Sequence, residues 1–154
     1  SILVSPTPQR ISQWKAQAGY KILQHDAAAH IVRSDKTTTY AIFNTRPLVA
    51  KTVVSSVSAP CLIITKGQGN TLKLNLTDPD LRLPGNEGGS IPGEIFVPAR
   101  MGPDVSVITV TLNGRYTLKE GKGIIADQSE KNTTLTLLTQ QGRTISCLLK
   151  KQEN

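Results

Sequence analysis

The sequence predicts an all-β fold, an antiparallel β-sandwich with one short N-terminal linking helix. Apolar and polar residues alternate in short segments such as residues 71–76, where Leu72, Leu74 and Leu76 should face a core. Clusters of Gly, Asn, Asp and Pro separate these segments and favour turns. Because strands do not alternate with helices along the chain, we do not expect a parallel sheet.

The predicted strands are short and closely spaced, which is typical of a sandwich. Most of them pair as hairpins across turn-forming residues, and a long loop rich in Pro, Gly, Asp and Asn interrupts the series. The predicted elements are a strand at 20–24, a hairpin of 28–33 with 38–43, a hairpin of 60–66 with 71–76, a loop at 77–93, a strand at 104–112, and a last hairpin of 133–139 with 143–149.

The N-terminal segment has the features of a connecting helix. Thr7 is a suitable N-cap, and Pro8 fits the first helical position, where its missing N–H costs nothing. Ile11 and Trp14 share one helical face, because they lie three residues apart. A helix is therefore predicted over residues 7–18.

The chain is basic, with 18 Lys and Arg against 11 Asp and Glu and a net charge of +7. Such an excess attracts polyanions, and nucleic acid, acidic lipid and acidic polysaccharide all satisfy the charge alone. The basic residues are not interleaved with stacking aromatics, so we do not expect a nucleic-acid partner. No apolar run approaches the ~20 residues that cross a membrane, so no membrane span is predicted.

The side chains that proton abstraction beside a carboxylate would use occur in one region, at Tyr20, His25, His30 and Tyr40. His30 and Tyr40 are expected on adjacent strands among apolar residues, where sheet packing with a satisfied polar tip is the more common role. The Asp78-Pro79-Asp80 segment offers too few carboxylates for calcium. We therefore expect no metal site and no cofactor.

The two cysteines, Cys61 and Cys147, each lie in an apolar, strand-like run. Neither belongs to a CxxC pair, so zinc and redox motifs are absent from the sequence. Buried free thiols are the favoured interpretation. A disulfide between them stays open, because sequence gives no distance.

Six segments keep a recognisable order along the chain, and they are Tyr20–Asp26, Ala29–Val32, Thr39–Phe43, Ala59–Ile63, Leu74–Leu81 and Ile108–Tyr116. Taken together, these segments resemble the chondroitin-sulfate ABC lyases and related hyaluronate lyases. No single segment is diagnostic, but their joint order over residues 3–117 is fairly specific. Pro84 to Arg100 departs from the family pattern, since it is longer and richer in Gly and Pro than expected.

The resemblance implies a polysaccharide lyase that cleaves uronic-acid-containing glycosaminoglycans by β-elimination. In that family the catalytic residues lie in domains upstream of this region, so no catalytic residue is carried over. The strand-like residues 1–5 begin abruptly, which agrees with a missing N-terminal portion. The implied divisions are the last strand of a central β-sandwich and the connecting helix at 1–18, a C-terminal β-sandwich at 19–150, and a frayed tail at 151–154.

The leading hypothesis is thus a C-terminal structural module that touches acidic polysaccharide and packs on upstream domains of the same protein. Arginine suits sulfate and carboxylate through its bidentate fork, and the candidate contacts are Arg82, Arg100 and Arg115. We expect the protein to be secreted or periplasmic. The alternatives are a free-standing carbohydrate-binding module and an enzyme that uses the group of Tyr20, His30 and Tyr40.

Overall fold

Two antiparallel sheets form a sandwich, as the sequence predicts. The computed structural model of the chain describes residues 7–9, 12, 19–79, 105–140 and 142–152. Within this part, no helix is long and apolar enough to cross a membrane. The strands are β1 (Lys21–His25), β2 (Ala29–Ser34), β3 (Thr37–Ile42), β4 (Val54–Val57), β5 (Cys61–Gln68), β6 (Thr71–Thr77), β7 (Val105–Asn113), β8 (Tyr116–Glu120), β9 (Ile124–Gln128), β10 (Asn132–Gln140) and β11 (Thr144–Lys151).

The larger sheet has seven strands in the order β1-β2-β3-β5-β6-β11-β8, and the smaller has four in the order β4-β7-β10-β9. Alternation places one face of each strand between the sheets. Leu72, Leu74 and Leu76 all point into this core, as predicted. The buried apolar side chains are those of Ala29, Ile31, Tyr40, Ile42, Val54, Val57, Cys61, Ile63, Leu72, Leu74, Leu76, Ile108, Val110, Leu112, Tyr116, Leu135, Leu137, Cys147 and Leu149.

Two of the predicted hairpins are confirmed, and the third is wrong. β2 pairs with β3, and β5 pairs with β6. β10 and β11 are both strands, but β10 pairs with β7 and β9, whereas β11 pairs with β6 and β8. The chain thus crosses from one sheet to the other instead of turning back. Local alternation cannot distinguish these outcomes, because both bury the same faces of the two strands.

The ends of the predicted module are described only in part. Of the predicted helix at 7–18 the structure describes Thr7, Pro8, Gln9 and Ser12, and the rest lies outside the described residues. Most of the predicted loop at 77–93 also lies outside them. At the C-terminal end, β11 continues one residue beyond the predicted boundary, to Lys151.

Asp78 links the two sheets through a buried carboxylate. It follows β6 of the larger sheet, and its Oδ2 accepts hydrogen bonds from Ser106 Oγ on β7 at 2.8 Å and from Thr139 Oγ1 on β10 at 3.1 Å. The hydroxyl groups of Ser106 and Thr139 thus satisfy this carboxylate. Hydrogen bonds to a charged group are among the stronger ones in proteins, so Asp78 fixes how the sheets are aligned.

The cysteines are free thiols, both buried in the core. Burial, with a smaller contribution from the Asp78 carboxylate, raises the pKa of Cys61 from 9.0 to about 12. Burial also raises the pKa of Cys147 from 9.0 to about 11. The interpretation as buried free thiols is therefore confirmed, and neither thiol has the low pKa of a reactive cysteine.

Tyr40 lies entirely inside the core, and its hydroxyl has no hydrogen-bond partner among the described residues. The expectation of a satisfied polar tip is thus wrong. We predict that Tyr40→Phe raises the free energy of unfolding by about 1 kcal/mol, because a buried, unbonded hydroxyl costs about 1–3 kcal/mol. Urea titration measures the change. Tyr40→Leu should instead lower stability by leaving a cavity, and a loss of stability in Tyr40→Phe would contradict the assignment.

Because burial raises the pKa of both thiols, we predict that the protein loses stability at high pH. In the unfolded chain both thiols titrate near 9.0, whereas in the folded chain they stay protonated to about 11 and about 12. Well below pH 9 both thiols are protonated in the folded and in the unfolded chain, so their contribution to the free energy of unfolding does not change with pH. Above it, the unfolded state releases its protons first, so the free energy of unfolding falls by up to about 1.4 kcal/mol per pH unit for each thiol.

Urea titrations between pH 8 and pH 11 measure this slope, and the double variant Cys61→Ala/Cys147→Ala provides the control. The variant should show a shallower fall than the wild type over the same range. Equal slopes would show that other groups carry the alkaline loss.

Candidate polyanion-binding cleft

The outward-facing side chains of the larger sheet form ordered rows, because register fixes which residues lie side by side. One row runs from Thr37 through Lys66 and Lys73 to Leu148. The next row towards the strand ends joins Thr71, Lys150 and Thr117. Lysines are thus concentrated in the part of the outer face that belongs to β5, β6, β8 and β11.

An open cleft of about 480 Å³ lies at the β8–β11 end of this face. Its floor is held by backbone contacts, in which Lys151 N donates to Asn70 O at 2.7 Å and Gln152 N donates to Arg115 O at 2.8 Å. Gln152 Nε2 also donates to Thr117 Oγ1 at 2.8 Å. The lining residues are Asn70, Thr117, Lys119, Lys150, Lys151 and Gln152.

The electrostatics of the cleft favour an anion. Lys119, Lys150 and Lys151 contribute three positive charges, and Glu120 is the one acidic residue on β8 and β11. The cleft also offers amide and hydroxyl groups, which can bind sulfate, carboxylate or sugar hydroxyls. We call the surface made by Lys66, Lys73, Lys119, Lys150 and Lys151 the lysine surface.

One pair in the lysine surface is hard to explain by folding alone. Lys66 and Lys73 lie directly opposite each other on the neighbouring strands β5 and β6. Like charges in directly opposed positions destabilise a sheet. A polyanion laid across the two strands would remove this repulsion, so the pair favours a binding role.

The structure describes one of the three arginines that the sequence analysis proposed as polysaccharide contacts. Arg115 lies beside the cleft, where its backbone oxygen accepts the hydrogen bond from Gln152 N. Arg82 and Arg100 lie outside the described residues. Sequence reasoning missed Lys150 and Lys151, because the last predicted strand ends at residue 149 and residues 151–154 were assigned to a frayed tail. Outward alternation of β11 would have placed Lys150 on the exposed face.

The possible catalytic group does not come together, because Tyr40 is separated from both histidines, and its fourth member, Tyr20, lies exposed just before β1. Tyr40 points into the core, while the rings of His25 and His30 stack on the outer face of the same sheet. The body of the sheet therefore separates Tyr40 from the histidines. Among the described residues, no group of three or more His, Cys, Asp or Glu side chains could hold a metal ion.

The chain resembles known proteins in its three-dimensional structure. No protein-family model matches the sequence, and no curated protein matches it. Aligned over 99% of its length, the chain has a TM-score of 0.67 and 14% identity with a xanthan lyase from Paenibacillus, of which it covers 13%.

A chondroitin AC lyase from Streptomyces coelicolor A3, in complex with chondroitin sulphate, is also similar. The alignment covers 96% of this chain and 17% of the lyase, with a TM-score of 0.63 and 10% identity. The chain therefore spans less than a fifth of either enzyme. At these identities the similarity establishes a shared fold, and the fold is that of one segment of much longer polysaccharide lyases.

Proposed function

We propose that this chain is a non-catalytic β-sandwich module of a polysaccharide lyase that acts on a glycosaminoglycan, such as chondroitin or dermatan sulfate or hyaluronan. The observation that carries the proposal is the agreement of fold, over nearly the whole chain, with segments of two polysaccharide lyases. In this proposal the upstream domains of the same protein perform the β-elimination. A secreted or periplasmic location belongs to the same proposal.

The role proposed for the module is to hold acidic polysaccharide near those domains. The lysine surface supports this role, because it combines a concave site with clustered positive charge. Exposed charges attract a polyanion over a distance of about 8–10 Å at ordinary salt. A polymer held in this way has a raised local concentration at a site linked to the module.

A free-standing carbohydrate-binding module is the second candidate. The lysine surface supports it equally, since binding does not depend on neighbouring domains. Assaying the chain alone for unsaturated uronate absorbance, with glycosaminoglycan as substrate, tests a third possibility. Activity would show that the chain is an enzyme in its own right.

We predict that the chain is retained on a chondroitin sulfate matrix at low salt and released at moderate salt. The double variant Lys119→Gln/Lys150→Gln should bind about fivefold more weakly, since each exposed ion pair contributes about 0.2–1 kcal/mol. The double variant Lys51→Gln/Lys131→Gln serves as the matched control, because it also removes two exposed charges, one just before β4 and one at the β9–β10 turn of the other sheet.

Affinity chromatography with a salt gradient, followed by calorimetric titration, measures both effects. Equal weakening by the control variant would indicate attraction to the net charge alone. A wild-type chain that passes the matrix unretained at low salt would remove the binding role.

A further inference from the structure

A second surface lies on the same outer face of the larger sheet, next to the row of Lys66 and Lys73. Two rows of side chains there contain no Lys, Arg, Asp or Glu. They are, in order across the sheet, Ile22, Val32, Thr39, Ile64, Asn75 and Ser146, and then His25, His30, Ala41, Leu62, Thr77 and Thr144. On a chain with net charge +7, so long an uncharged stretch is a distinct feature.

Aromatic rings are grouped at one end of this stretch. The rings of His25 and His30 stack, with centroids 4.2 Å apart, and Phe43 meets His30 edge-on at 5.1 Å. Phe43 keeps 52% of its surface exposed. We call His25, His30 and Phe43 the ring platform. It contains both histidines of the chain and one of its two phenylalanines.

The fold does not require these rings. All three residues are exposed on the outer face, whereas the core beneath them is completed by Ile31, Ile42 and other inward side chains. Exposed apolar patches on folded domains usually mark sites of interaction. We therefore expect the ring platform to bind a ligand, and the chemistry of its side chains indicates the class of ligand.

We propose that the ring platform binds a pyranose ring of a polysaccharide by stacking. The C–H groups on one face of a pyranose form a flat apolar surface that packs against ring faces and edges, and hydroxyls at its rim need polar partners. The adjoining turn provides such groups, since the exposed carboxylate of Asp26 is held in place by Ala28 N at 2.8 Å and Ala29 N at 2.9 Å.

The position of the platform favours this occupant over a protein partner. The platform shares one face of one sheet with Lys66, Lys73 and Lys150 of the lysine surface, and the paired rows of β2, β3, β5, β6 and β11 connect them. His30 and Lys150 are four strands apart and about six residues apart along the strands, or roughly 28 Å. One polysaccharide chain could therefore contact cations at one end and rings at the other.

The inference rests on the proposed function, because it assumes that the module binds polysaccharide, but the two can be tested separately. Lysine contacts weaken with salt, whereas ring stacking does not. The two histidines also supply two resolved ring signals in proton NMR. We would titrate the full 154-residue chain with a chondroitin sulfate oligosaccharide at low and moderate salt, and separately with a neutral cello-oligosaccharide.

Wild-type chain is compared with Phe43→Ala, with Lys119→Gln/Lys150→Gln, and with Val107→Ala as a control. Val107 is as exposed as Phe43 but lies on the smaller sheet. We expect the histidine signals to shift with either sugar and Phe43→Ala to weaken binding about fivefold at both salt concentrations. Val107→Ala should bind like the wild type. Phe43 follows β3 and is exposed, so its truncation should leave the fold intact, as circular dichroism would check.

Two results would overturn the inference, and a third would separate it from the proposed function. Salt-sensitive binding with unmoved histidine signals and no effect of Phe43→Ala would reject the platform and leave the proposed function standing. Absence of binding to chondroitin sulfate at low salt would reject the proposed function, and the neutral sugar would then decide the platform. Dissociation of a dimer by Phe43→Ala, seen by sedimentation, would assign the face to contacts between copies of the chain.

Discussion

Burial of alternate side chains between the two sheets is the constraint on which the rest of the structure depends. Each strand gives one face to the core, so its other face is fixed by the same register and left free for other roles. The buried Asp78 carboxylate adds alignment between the sheets, because its hydroxyl donors come from β7 and β10. Both outer-face surfaces described above follow from this division of each strand into two faces.

The lysine surface and the ring platform show that the stability of the fold places few limits on which residue types the outer face carries. A one-residue slip of β6 would send Lys73 into the core and Leu74 to solvent, so the positions of the lysines are as firmly determined as those of the leucines. What the outer face carries is not determined in this way. The opposed pair of Lys66 and Lys73 even opposes folding slightly, which is the pattern expected where binding decides the residue types.

Sequence reasoning recovered the fold class, two hairpins and the inward face of β6, since each depends on contacts within one stretch of chain. It missed β4, β8 and β9, which are short strands of four or five residues with weak alternation. It also paired β10 with β11, although only contacts far along the chain decide to which sheet a strand belongs. The cleft could not be predicted for the same reason, because Asn70, Thr117 and Lys150 meet only after three separate strands are in place.

The crossing between β10 and β11 has a consequence for how the chain is made. β11 lies between β6 and β8, so those two strands never pair with each other, and the larger sheet stays in two pieces until residues 144–151 emerge. During synthesis, the edge of β6 that faces away from β5 therefore lacks its neighbouring strand until a segment made about seventy residues later. Among the described strands β11 is the last to be made, and the pairing of β8 with the rest of the larger sheet depends on it.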